Sequence, residues 1–149
     1  MIKHFDHLTI VVDDLADARR FFGLLGFSEA ISVVISGPTM EAYMGVAGIE
    51  ADHVTLVADG VTPRTEIQLL RYRRPEAIAD GHIRDLNKIG LNHVCFAVDD
   101  INAVVQTMRD NGYRTRNDIM AFHSRKLVFL VGPAGVTIEL SQWDQGMTA

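Results

Sequence analysis

His7 and His93 each open a copy of the same short unit. Residues 5–14 read FDHLTIVVDD and residues 91–100 read LNHVCFAVDD, so each histidine is followed by a strand-like stretch and then Asp-Asp. The pairs Gly26-Phe27 and Gly112-Tyr113 keep the same register. A second echo closes each copy: Ile67-Gln68-Leu69-Leu70 in the first, Ile138-Glu139-Leu140-Ser141 in the second. A duplicated unit with a metal-type side chain at four equivalent points suggests one divalent-metal site between two pseudo-symmetric halves. A single strand histidine is ordinarily structural, and it is the equivalent placement that makes His7 and His93 candidate ligands. Glu139 lies between Ile138 and Leu140 on a strand expected to be buried, where a lone carboxylate is costly unless a cation faces it. Gln68 is the softer member, because Glu66 shares its strand parity and could replace it.

These side chains need strands to aim them. Residues 5–12 alternate with strand period, Leu8, Ile10 and Val12 against His7, Thr9 and Val11. Asp14 is a helix N-cap, Leu15, Ala18, Phe22 and Leu25 follow at helical spacing, and Gly26 stops the helix. Strands are expected at 28–36, 54–58 and 66–72, so the first half reads β-α-β-β-β. The second half repeats this: a strand at 91–98, the cap Asp100, a helical stripe of Ile101, Val104, Val105 and Met108, the stop Gly112, then strands near 113–116, at 126–131 and at 136–141. Two modules are expected, 1–74 and 91–149, joined by a connector over 75–90 and together forming one α+β domain. Residues 37–52 read as a long loop, a common place for function. Parity puts Leu8, Ile67, Val94 and Ile138 on the helix side and His7, Gln68, His93 and Glu139 on the other. If that other face curls into half-barrels, the four can converge in its concavity.

Bulk properties narrow the class without naming it. A chain of 149 residues with 48% hydrophobic and 22% charged content is an ordinary globule. Net charge of -5 argues against nucleic acid as partner. No apolar run is long enough to span a membrane, and one cysteine precludes an internal disulfide, so a cytoplasmic protein is expected.

In four ordered stretches, HLTIVVDDLADARRFF, IQLLRYRRP, NHVCFAVDDI and GPAGVTIEL, the chain resembles the vicinal oxygen chelate superfamily, the glyoxalase, bleomycin-resistance and extradiol dioxygenase group. The resemblance covers nearly the whole chain. It implies paired βαβββ modules forming a curved mixed sheet around one divalent transition metal per chain (Zn, Co, Mn, Ni or Fe), with ligands His7, Gln68, His93 and Glu139. The ligand identities resemble the methylmalonyl-CoA epimerase branch most. That implies an isomerase or epimerase acting on a carbonyl or acyl-CoA substrate through a metal-stabilised enolate, as a homodimer. Members of that branch carry a second acidic residue on the third strand, where this chain has Thr55, with Glu50 and Asp52 just before it. A glyoxalase-type lyase or thiol transferase, an Fe(II) extradiol-type dioxygenase using His7, His93 and Glu139, and a non-catalytic antibiotic-binding protein stay open as alternatives.

The chemistry follows from the donors. Four protein ligands leave two adjacent positions on a six-coordinate ion for a small-molecule substrate with neighbouring oxygens. Glu139 is the candidate proton carrier, and His123, in AFHSRK, a second one for proton transfer or substrate contact. Cys95 is read as a small packing residue, Met40, Tyr43 and Met44 as packing or pocket lining, His53 and His82 as surface or loop histidines, and Arg71, Arg73 and Arg74 as a solvated basic strand end.

Overall fold

The structure is a computed structural model and describes residues 1–144 and residue 146; the last few positions of the expected second module lie outside the described residues. The chain divides into two compact units, Met1–Ala79 and Asp80–Ala149. Both are α+β.

In the first unit, β1 (His7–Val11) leads through the cap Asp14 into α1 (Leu15–Leu24). The Asp14 carboxylate accepts the Asp17 amide, meeting one of the donors a helix start leaves free. Gly26 follows at φ 90°, which ends the helix and turns the chain into β2 (Phe27–Ser36). Then come α2 (Pro38–Met44), β3 (Glu50–Ala58) and β4 (Glu66–Arg74). The strands form one mixed sheet in the order β1-β4-β3-β2, with β1 parallel to β4. One side of α1 buries Leu15, Ala18, Phe21 and Phe22; the core it shares with the sheet holds Ile10, Val54, Leu56, Ile67 and Leu69. Phe22 meets Phe21 and Phe27 edge-on, an arrangement the aromatic quadrupole favours.

The second unit repeats the plan with β5 (Val94–Ala97), α3 (Ile101–Asp110), β6 (Met120–Phe122), β7 (Arg125–Val131) and β8 (Thr137–Trp143), in the order β5-β8-β7-β6. Asp100 caps α3 by accepting from the Asn102 and Ala103 amides, and the Gln142 amide oxygen takes the Ile101 amide. Ile101, Val105 and Met108 are buried, as are Val128, Leu130, Ile138 and Leu140 on the sheet. Gly112 stops α3 at φ 87°, matching Gly26. The duplication reaches the backbone register: Leu8 pairs with Ile67 and Thr9 with Gln68, just as Val94 pairs with Ile138 and Cys95 with Glu139.

Three local expectations change. The 37–52 stretch is no loop: it holds α2, whose Met40 and Met44 pack on Ile49, Ala51 and Leu70, while Tyr43 stays exposed. Strand β3 begins at Glu50 and not at Val54, because it runs alongside β2 for its whole length. The strand expected at 113–116 shrinks to a single bridge between Thr115 and Leu130, and β6 forms at Met120–Phe122 by hairpin pairing with β7.

Candidate metal centre

In the first unit the register places Thr9, Thr55 and Gln68 in one row and His7, Val57 and Glu66 in the next, all on the face opposite α1. The Gln68 amide is held on every side. Its Oε1 accepts from His53 Nε2 at 3.1 Å and, more weakly, from Thr9 Oγ1 at 3.4 Å. Its Nε2 donates to Glu66 Oε2 at 3.2 Å. Glu66 is in turn paired with Arg64, Nε to Oε1 at 2.5 Å, and that bond holds its carboxyl below the usual range. An ionised Glu66 can only accept, so it fixes which end of the Gln68 amide carries the oxygen. Gln68 and Glu66 are thus the two candidate oxygen donors of this half, Gln68 Oε1 engaged by His53 and Thr9 and Glu66 by Arg64.

His7 is oriented from the chain beside it. Its Nδ1–H donates to Asp6 Oδ1 at 2.6 Å, and that bond lowers the Asp6 pKa. The His7 Nε2 lone pair is then the free one.

The second unit does the same with a different residue. His93 Nδ1–H donates to Asn92 Oδ1 at 2.7 Å, and Asn92 Nδ2 donates to Leu86 O, which settles the amide orientation. His93 Nε2 lies 3.2 Å from Glu139 Oε2, with the Glu139 side chain 14% exposed. If the imidazole is neutral, two acceptors face each other across that distance, an arrangement that calls for a cation or a proton. The mixed imidazole and oxygen set, with each Nδ1 committed to a neighbour, fits a divalent transition metal. Phe129 lies opposite Glu139 on β7 and rests on the His93 ring, with centroids 5.1 Å apart. Cys95, paired with Glu139 on β5, is exposed and not the packing residue expected from its sequence; partial desolvation and its bond to Glu139 raise its thiol pKa against the opposing bond to Ser141.

His123 occupies the two-residue turn between β6 and β7 at φ 52°, exposed, with its ring edge on Phe122. The register there matches Trp143, four residues along β8 from Glu139, or roughly 13 Å of strand. Asp52 and Glu50, the carboxylates that precede Thr55 on β3, are tied to arginines. Asp52 takes Arg73 at 2.6 Å and Arg71 at 3.3 Å, and Glu50 takes Arg74 at 2.7 Å. Asp52, Arg71 and Arg73 lie on the α1 side of the sheet, away from Gln68. Sequence reasoning missed His53, which stands two residues before Thr55 on the Gln68 face; extending the strand to Glu50 would have shown its parity. Among the described residues, no group of three or more His, Cys, Asp or Glu side chains is gathered closely enough to hold a metal ion.

With the two half-sites described, comparison with known proteins defines the class. The chain belongs to the Glyoxalase/Bleomycin resistance protein/Dioxygenase superfamily, whose family model matches residues 6–129. Among characterised relatives it is similar to the mitochondrial methylmalonyl-CoA epimerase of Bos taurus, 24% identical over 95% of this chain and 75% of that one. It is also similar to the ethylmalonyl-CoA/methylmalonyl-CoA epimerase of Cereibacter sphaeroides, at 26% over 87% and 89%. A solved glyoxalase family protein from Bacillus cereus has the same fold, with TM-score 0.88 and 23% identity over 97% and 96% of the two chains.

Proposed function

We propose that His7, Gln68, His93 and Glu139 together hold one divalent transition metal, and that the protein is a metal-dependent isomerase or epimerase of a carbonyl or acyl-CoA substrate. The observation that carries this is the matched pair of half-sites. Each offers one imidazole with Nδ1 spent on the preceding residue, Asp6 or Asn92, and one oxygen donor whose strand partner, Thr9 or Cys95, lies two residues after that histidine. The epimerase relatives support the reaction class.

When bound, the metal supplies a Lewis acid for the substrate carbonyl. The rest is the work of this chain. Glu139 is the proton carrier in this reading, largely enclosed and with Oε2 facing His93. Phe129 holds the His93 ring and keeps solvent from that side. Asp52 and Glu50 are neutralised by arginines, so neither acts as the second proton carrier, and His53 is the titratable side chain of β3 on the Gln68 face. His123 is too far along the sheet for the first proton and fits contact with a distal part of the substrate. The protein works as a homodimer in this reading, since the edge strand β2 leaves Ile31, Val33 and Val34 about half exposed.

The test is elemental analysis of purified protein beside His7→Ala and Glu139→Ala, followed by solvent-deuterium exchange and inversion assays on methylmalonyl-CoA and on small 2-oxo acids. About one metal ion per chain is expected, lost or much weakened in both variants, with exchange of the α-proton in the parent only. Full metal occupancy in both variants would overturn the ligand set.

A further inference from the structure

The face of the second sheet that carries Glu139 also carries an unpaired cation. Pairing of β7 with β8 puts Arg125, Leu127 and Phe129 on the same side as Trp143, Ser141 and Glu139, and β6 adds Phe122 and Met120. These last two are about half exposed, so the floor of this face is largely apolar. On it, the Arg125 guanidinium lies over the Trp143 ring, its Cζ 4.5 Å from the centroid. Its Nε is shut off from solvent without a hydrogen-bond partner, and among the described residues no carboxylate pairs with it. The arginines of the first sheet behave differently: Arg64, Arg71, Arg73 and Arg74 all have carboxylates.

A guanidinium presents a planar fork of donors. Here Trp143 covers one face and the Nε edge is enclosed, which leaves the terminal nitrogens to bind. That is a single bidentate edge with a single positive charge, which one carboxylate fills and neutralises, whereas a doubly charged phosphate would keep a second charge unmatched. Arg125 shares its face of β7 with Phe129, the strand partner of Glu139, so the cation and the proton carrier act on one stretch of surface.

We infer that Arg125 is a specificity-determining residue that binds a carboxylate of the substrate, with Trp143 as its platform, and that the substrate class is therefore a carbonyl or acyl compound bearing a free carboxylate remote from the reacting carbon. The assignment rests on the reading of Glu139 as the reacting end of this face. Arg125 and Trp143 select the substrate; Glu139 reacts with it.

Trp143 is the single tryptophan of the chain, so its emission reports on Arg125 directly. The experiment titrates full-length protein with succinate, with its uncharged diamide, and with methylphosphonate, first in EDTA and then with cobalt. Succinate is expected to change Trp143 emission saturably, the diamide and methylphosphonate to act at least tenfold more weakly, and Arg125→Gln to weaken succinate about tenfold or more. Arg125→Lys guards against a folding defect: it keeps a point charge and should retain part of the binding. Equal succinate affinity in wild type and Arg125→Gln, absence of binding to wild type, or preference for methylphosphonate overturns the proposal. The two readings separate in the EDTA arm. Arg125-dependent succinate binding in EDTA supports the carboxylate site by itself, whereas the metal reading falls separately if elemental analysis of the same protein finds no bound ion.

Discussion

At the scale of residues, the repeated device is a histidine steered by the side chain just before it. Asp6 and Asn92 differ in charge but do the same thing: each accepts from Nδ1 and turns Nε2 outward. Such partners orient a ligand ring and set its tautomer, and their loss usually weakens metal binding by about 10–100-fold. Asn92 is anchored at both ends, by His93 and by Leu86 O, whereas Asp6 is exposed to solvent. Asn92→Ala should therefore weaken cobalt binding within that range and Asp6→Ala by less, measured by competition with a chromophoric chelator. Unchanged affinity in both would mean that the rings are set by their strands alone. The histidines were legible in the sequence because they recur; their steering partners were not, since Asp and Asn in a loop have many possible uses. His53 was overlooked for a related reason. Nothing in its neighbours echoes the second half, and only β-sheet register puts its Nε2 on Gln68.

At the scale of elements, alternation told the faces apart where a strand had one more deeply buried side, as in β1 and the start of β4, where a slip of one residue would expose the whole apolar row. It was weakest for β3 and β6. Strand β3 begins with Glu-Ala-Asp-His, a run with no apolar alternation, and is held there by cross-strand ion pairs between Asp52 and Glu50 and the arginines of β4. Short α2 hid behind Gly37 and Pro38, which in a sequence signal a turn and here start a helix. The ion-pair cluster makes a prediction of its own. Arg73, by direct hydrogen bonding, holds the Asp52 carboxyl below its usual range. A carboxyl whose pKa is lower folded than unfolded stabilises the fold above the unfolded value, near 4, and loses that contribution as pH falls through the folded value. Asp52→Asn should thus be less stable than the parent at pH 7, and the gap should close below about pH 4, read as urea midpoints across that range. A gap that persisted unchanged at pH 3 would assign the loss to packing, since the side chain is only 17% exposed.

At the scale of the whole molecule, the proposed ligand set divides its donors evenly between the two units. On that proposal either unit alone offers one imidazole and one oxygen, a weak site, so strong binding would require both. The energetic consequence is measurable without any substrate. A ligand that binds only the folded chain stabilises it by RT ln(1 + [L]/Kd), about 2.7 kcal/mol at a hundredfold excess over Kd. If one ion draws on both units, cobalt should raise the unfolding temperature of both together, and His7→Ala should abolish that rise although it alters only the first unit. Glu139→Ala should do the same from the second. Differential scanning calorimetry with cobalt and with EDTA reads this directly. A His7→Ala protein that kept the cobalt shift would show that His93 and Glu139, already 3.2 Å apart, hold the ion by themselves, and the site would then be a half-site, with the first unit free for another task.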